Sequence, residues 1–320
     1  MRCTACILIL LLAFSCKKDR LQWPAPPEQL ASGTTDRLND ILVLSESVLL
    51  VAGGERFTST TMLHSTDGGT TWNVQAFPQI GKGMYALAAA TGGSVLAAGF
   101  EAKGLKTSDS GRTWEVISFP RSEPYTGVAF ESNGRGWLVG GISFKQGARQ
   151  QIDASGAGPS ADSVAYQLND VVVTAEGAVF IAGYGIVLRL ASGSTSWETM
   201  DVQGDNFTAL FAASWGDLYA CGSEGSIVVS EDSGINWKKL RAQQALGGPH
   251  YHLHDLLFTD AQHGYCVGEN GIVICTDDGG EHWAEYATFT SAHLRSIAAL
   301  PGGDLLVCGD GGALWRLKVR

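Results

Sequence analysis

The feature that most constrains this chain is a glycine that closes an apolar run and returns every 39 to 46 residues: Gly53 in "LLVAGG", Gly99 in "VLAAGF", Gly140 in "WLVGGI", Gly183 in "FIAGYG", Gly222 in "LYACGS", Gly268 in "YCVGEN" and Gly309 in "LLVCGD". Seven units of about 43 residues fill residues 21 to 320. Within a unit the order is constant, as residues 84 to 119 show: an apolar run, a Gly-Gly turn, a second run ending at Gly99, a third over Gly104 to Thr107 and a fourth leaving Trp114. That is a four-stranded meander, and a meander of 40 to 45 residues repeated in series is the pattern of a β-propeller. A helical solenoid can share the period, but its repeats do not carry glycine pairs every dozen residues. The expectation is an all-β, seven-bladed β-propeller of four-stranded antiparallel blades.

A second signal follows the glycine in four units: "STDGGTTW", "TSDSGRTW", "SEDSGINW" and "TDDGGEHW" share Ser/Thr-x-Asp-Ser/Gly-Gly-x-x-Trp. Asp67, Asp109, Asp232 and Asp278 fall where the third strand turns into the fourth, and a short carboxylate can accept the N–H groups of its own turn. The glycine two residues on permits positive φ, and Trp72, Trp114, Trp237 and Trp283 offer large apolar faces to pack between sheets. These boxes read as turn clamps, too dispersed around the ring to form one catalytic site. Two units depart from the pattern. The fourth, "LASGSTSW", lacks the Asp, and the third replaces its outer half with a Gly/Ser/Ala-rich insertion over residues 143–168, either a loose loop or a degenerate hairpin.

Forty-one Gly, nine Trp and 17% charged residues suit many short strands joined by tight turns. The seventh unit stops after a third strand, so something must complete its sheet, because an open edge would leave unpaired backbone groups. The segment "RLQWPAPPEQL" carries Trp23 in polar, Pro-containing sequence, and residues 21–25 are expected to supply that outer strand as a clasp. Ahead of it, residues 1–15 form a basic start, a short apolar run and a small residue before Cys16, which reads as a signal peptide; the run is too short for a bilayer span. "AFSC" followed by "KKD" resembles a bacterial lipoprotein signal. That resemblance implies cleavage before Cys16, lipidation of Cys16 and a tether over residues 16–20. Lipoproteins beginning in this way are similar to those of Bacteroidota, which implies the cell envelope, at the outer membrane.

The combination of A-x-G, G-x-[IVL] and S-x-D-x-G-x-x-W resembles the seven-bladed propellers of the photosystem II stability and assembly factor family, and more broadly the Asp-box (BNR-like) repeats of sialidases, sortilin-like receptors and xyloglucanases. The first resemblance implies a non-enzymatic chaperone that recognises a membrane-protein segment. Folds of this kind also host hydrolases, so function must come from the site.

Aligning the seven first strands by their glycines puts Asp40, Tyr85, Thr126, Asp170, Thr208, Asp255 and Arg295 at equivalent strand-start positions, as a candidate binding rim on the face that feeds the channel. The bland alternative is that the three Asp residues bond the turns beneath them. "PHYHLHDL" places His250, His252 and His254 at alternating positions; three imidazoles suit zinc, yet alternate residues of one strand lie about 7 Å apart, which strains a tetrahedral site. Cys266 and Cys275 face each other, and could bridge, if Asn270-Gly271 is a two-residue turn; a longer loop misaligns them and leaves buried thiols.

A formal net charge of −10 with no basic stripe speaks against nucleic acid, and leaves the lipid on Cys16 as the means of membrane attachment. No cofactor, phosphate loop or nucleophile elbow is indicated. The leading expectation is a monomeric, non-enzymatic envelope scaffold that binds another envelope or secreted protein through its channel face. The rival is a carbohydrate-active or glycan-binding propeller, which would need two carboxylates about 5 to 9.5 Å apart on one cleft.

Overall fold

Blade one shows the plan of all seven: Leu38–Val43, Leu49–Gly53, Thr61–Ser65 and Asn73–Ala76 pair antiparallel in chain order. The computed structural model describes residues 20–143, 145–159, 162–202, 204–242 and 251–319, and these form seven such four-stranded sheets, a seven-bladed β-propeller. Cys16 and residues 1–15 lie outside the described residues, as does His250. Burial falls from the middle of each blade outward: the second strand Leu49–Gly53 is buried throughout, whereas Asn73–Ala76 is largely exposed. A strand covered on both faces by neighbouring blades has no solvent side, which is why each second strand reads as an unbroken apolar run.

The blades are joined by apolar clusters that draw on two adjacent sheets. Leu50, Ala52 and Met62 of blade one pack with Met84, Leu87 and Val95 of blade two, and Trp114 closes that cluster from outside. Trp72, Trp237 and Trp283 occupy equivalent flanks elsewhere in the ring. Each is aimed by its turn: Asp67 accepts the N–H groups of Thr70 (3.0 Å) and Thr71 (2.9 Å), while Ser65 Oγ donates to Asp67 (2.9 Å) and accepts the N–H of Gly69 (2.8 Å). The bond from the residue four on, the hydroxyl donation and the Gly N–H bond recur at Asp109, Asp232 and Asp278. Gly234 shows why the glycine is needed: φ is +83°, and an added methyl group would collide with the Phe180 ring of the preceding blade.

The repeating glycine has a different cause. In blades one to seven the residue after it donates its N–H to a carbonyl just before the first strand, as Gly54 does to Arg37 (2.8 Å) and Glu269 to His252 (3.0 Å). A Cβ on Gly53, Gly140 or Gly268 would lie on that carbonyl oxygen. Close backbone approach selects the glycine there.

Ring closure uses the N-terminal segment, but not residues 21–25. Glu28–Gln29 form the outer strand of the last blade, with Glu28 opposite Arg316 and Gln29 opposite Trp315. Pro24, Pro26 and Pro27 have no N–H to give a ladder, so pairing begins just beyond them. Residues 21–23 are anchored at blade six instead. Leu21 exchanges backbone bonds with Glu285 (2.8 Å) and Ala287 (2.7 Å), and Trp23 stacks on Tyr286 at 3.9 Å while its Nε1 donates to the Ala287 carbonyl at 2.7 Å. The clasp therefore spans two blades.

The third blade's insertion supplies a third strand, Gln146–Ile152, and a short outer strand, Asp162–Val164. Cys266 and Cys275 do not bridge. Cys266 lies opposite Ile274 and Cys275 opposite Tyr265, because the connection is a five-residue loop with Val267 opposite Val273. The two thiols point to opposite faces, Cys266 toward blade five and Cys275 toward blade seven, and both are free.

Trp23→Ala should cost about 2–4 kcal/mol through lost stacking and burial, and deleting residues 20–30 should lower Tm by roughly 5 °C or more. Thermal unfolding of the two variants checks both; unchanged curves would refute the clasp. Gly268→Ala should cost about 1–3 kcal/mol by forcing the His252 carbonyl aside, measured by urea titration.

Candidate functional site at the channel mouth

The first strands Leu38–Val43, Met84–Ala89, Tyr125–Phe130, Leu168–Val173, Phe207–Ala212, Leu253–Phe258 and Leu294–Ala299 surround the axis. Each carries a bulge at its second residue: Leu38 pairs with Gly53, and the next pair is Asp40 with Ala52, leaving Asn39 unpaired. A bulge re-aims the side chain it releases. The seven released residues, Asn39, Tyr85, Thr126, Asn169, Thr208, His254 and Arg295, line one cavity of about 220 Å³, one residue from every blade.

This corrects the expected rim in three places. Tyr85, Thr126, Thr208 and Arg295 stand at the mouth, but Asp40, Asp170 and Asp255 sit one residue further along their strands, and Asn39, Asn169 and His254 take their places. The three carboxylates bond more than the turn beneath them. In each, one oxygen accepts the N–H of the following residue and the other accepts an N–H from the next blade: Leu87 for Asp40 (2.7 Å), Leu210 for Asp170 (2.8 Å) and Ile297 for Asp255 (2.9 Å). Ser296 Oγ adds a bond to Asp40 at 3.2 Å from the last blade, across the point of ring closure.

The mouth residues also reach forward. Asn39 Nδ2 donates to the Met84 carbonyl (2.7 Å), Asn169 Nδ2 to Phe207 (2.7 Å), Thr208 Oγ1 to Leu253 (2.8 Å) and Thr126 Oγ1 to Leu168 (3.3 Å). His254 Nδ1 lies 2.8 Å from the Leu294 carbonyl, an acceptor, so Nδ1 carries the proton. Tyr85 and Arg295 break the series: the Arg37 guanidinium lies over the Tyr85 ring at 5.9 Å, and Arg295 is held by Asp310 in a two-pronged pair at 2.8 and 3.0 Å.

Electrostatics separate the carboxylates sharply from those of the turns. Asp40, Asp170 and Asp255 keep a little accessible surface, yet desolvation dominates and raises them to about 8, 7 and 6; repulsion from Asp255 adds to the rise of Asp40 and Asp170. Burial also pulls His254 down to about 4, so it is neutral at ordinary pH. Asp67 is lowered to about 2 by its bonds to Thr71, and Asp109, Asp232 and Asp278 shift the same way.

His252 and His254 do not converge on a metal. His252 turns toward Glu269, 3.8 Å away, while His254 serves the neighbouring blade. Among the described residues the one cluster with metal-ligand spacing is Asp278, Glu281 and His282, an exposed group whose Asp278 is already committed to its turn. At the far end of the channel a second cavity of about 590 Å³ is lined by Leu210, Asp255, Leu256, Phe258, Ile297 and Leu300, among others. Among the described residues no helix is long and apolar enough to cross a membrane.

A carboxyl group raised in the native state binds its proton more tightly there than in the unfolded chain. Stability from the three channel carboxyls is therefore full below about pH 4 and declines as pH rises toward about 8. The lowered turn carboxyls act oppositely: their contribution is present above about pH 4 and is lost at lower pH. Tm should be highest between about pH 4 and 6 and lower by several degrees at pH 8.5, with a flatter alkaline limb in Asp40→Asn; a Tm that rises from pH 5 to 8.5 would contradict the assignment.

No protein-family model matches the chain, and no curated protein sequence matches it. Solved structures do. A structure of YCF48 bound to a D1 peptide aligns with a TM-score of 0.69 at 17% identity, covering 94% of this chain and 98% of that one. Virginiamycin B lyase from Staphylococcus aureus aligns at 0.71 and 11% identity, covering 92% and 99%, and the WD40 propeller domain of Doa1 at 0.66 and 11%, covering 94% and 98%. At such identities the likeness is one of fold, shared with a peptide-bound protein, a lyase and a WD40 propeller domain alike.

Proposed function

We propose that this protein is a non-enzymatic scaffold that binds a segment of another envelope or secreted protein over its channel mouth, as a monomer tethered by lipid on Cys16 at the outer membrane. The observation that carries the reading is the mouth itself: seven different side chains, one from each blade, present a continuous polar surface on a scaffold stiffened by bonds between blades. A rigid ring of unlike side chains suits recognition of one partner. YCF48, of the same fold, has been solved with a D1 peptide, which shows that such a propeller can hold a peptide. A hydrolytic reading finds less support, because both oxygens of Asp40, Asp170 and Asp255 accept backbone N–H groups that hold the ring together.

Cross-linking in native envelopes followed by mass spectrometry tests the reading, with wild type compared to Tyr85→Ala/Arg295→Ala. Capture of one defined protein by wild type, reduced at least tenfold in the double variant, is expected; capture indifferent to the mouth would overturn the site. For the tether, Cys16→Ser should abolish labelling by a palmitate analogue and release the protein from membranes, and persistent labelling would remove the lipid assignment.

A further inference from the structure

The mouth has a polarity that follows from its own hydrogen bonds. Asn39, Thr126, Asn169, Thr208 and His254 each spend a donor on the next blade's carbonyl. What these five keep is mostly acceptor, although Asn39 retains one N–H and Tyr85 and Arg295 carry donors of their own. Asn39 keeps its amide oxygen, the two threonines keep hydroxyl lone pairs, and neutral His254, protonated on Nδ1, keeps the lone pair of Nε2. The single guanidinium of the ring, Arg295, is paired with Asp310, and a second, Arg37, lies over Tyr85 at the side of the mouth.

One residue beyond these acceptors stand Asp40, Asp170 and Asp255, close enough to repel one another. Among the described residues none of the three pairs with a Lys, Arg or His; they accept backbone N–H groups, Ser296 bonds Asp40, and the buried thiols of Cys308 and Cys266 lie near Asp40 and Asp255. A buried carboxyl group without a cation is pushed toward its protonated form, and a cation brought alongside favours the ionised one. A bare metal ion fits poorly, because the oxygens of the three do not converge: they are not among the groups whose ligand atoms lie within 4.8 Å of one another. An organic cation with several N–H donors fits better, since it can answer separated acceptors at once and carry charge toward the carboxylates.

We propose that the channel mouth is a receptor for an N–H-bearing cationic side chain of the partner, a lysine ammonium or an arginine guanidinium, inserted end-on past the ring of acceptors toward the Asp40, Asp170 and Asp255 belt. The open cavity of about 220 Å³ at the mouth has room for the end of one extended side chain. The mouth then reads one basic residue, while the surrounding loops read its context. This rests on the channel-face reading above and gives that face its chemistry.

The test uses the purified protein and short probes, so that it is independent of the natural partner. Blocked pentapeptides, acetyl-Gly-Gly-X-Gly-Gly-amide, are titrated by calorimetry with X as lysine, arginine, acetyl-lysine or citrulline. Lysine or arginine should bind at least tenfold more tightly than its neutral counterpart, and the two cationic arms show which source the mouth prefers. Asp170→Asn and Asp255→Asn should each weaken the cationic probe at least fivefold, whereas Glu231→Gln, an exposed change in the turn of blade five, should leave it unchanged. Equal binding of cationic and neutral probes overturns the proposal, as does equal weakening by Glu231→Gln, which would reveal diffuse attraction to an acidic protein. Should the Asp variants fail to fold, the comparison of charged with neutral probes in wild type decides alone. Failure here with successful, mouth-dependent capture of a protein would leave the scaffold reading standing and remove the cation site.

Discussion

The whole molecule turns on a forward hydrogen bond from one blade to the next at the axis. Among the described residues the seven sheets are separate, backbone contact between blades being limited to isolated bonds such as the Tyr184–Asn206 bridge, and the apolar clusters between them are not directional. Direction comes from the bulged first strands. In five of the seven blades the bulge frees a side chain to reach the carbonyl of the following blade, and in blades one, four and six a carboxylate one residue later reaches a following N–H as well. Two tiers of such bonds fix the rotation between adjacent blades, which apolar packing alone would leave loose.

Periodicity was legible because backbone sterics impose it. A glycine must stand wherever the chain crosses close over the carbonyl ahead of the first strand, and a Ser/Thr-x-Asp turn caps the third strand and aims a Trp inward. The glycine recurs in all seven blades and the turn in four, while blade four packs Trp197 without the Asp, so the first signal is the stricter one. The channel rim was harder to read. Its first-strand starts vary in chemistry, and the eye is drawn to "LND" and "LHD", whose Asp residues are one position too deep. A stricter ruler existed: Asn39 to Gly53, Tyr85 to Gly99 and His254 to Gly268 are all separated by fourteen residues, as are the other four pairs. A bulge shifts the facing of everything before it by one residue, and no residue type in these strands announces it.

The N-terminal strand closes the last blade as expected but a few residues later than residues 21–25, and the cysteines take the unbridged of the two arrangements left open, for related reasons. Trp23 marked the right segment, but its aromatic ring serves packing on Tyr286, and pairing had to wait until the prolines ended. Cys266 and Cys275 looked apposed if Asn270-Gly271 made a two-residue turn. The loop has an odd count of five, and with a side-chain period of two this places the thiols on opposite faces. In both cases composition located the element while register decided its contacts.

The same two tiers explain why the channel is both rigid and chemically biased. A side chain that donates to its neighbour's carbonyl must turn its remaining acceptor elsewhere, and at a ring of seven strands the space left is the axis. Acceptor character at the mouth is thus a by-product of how the blades are held together. The carboxylates carry this further: two N–H bonds each orient them but do not discharge them, and burial then raises all three toward neutrality. A fold that solves its closure problem with carboxylates near the axis leaves an electrostatic debt there, and a cation arriving through the mouth is the ligand whose binding would relieve it.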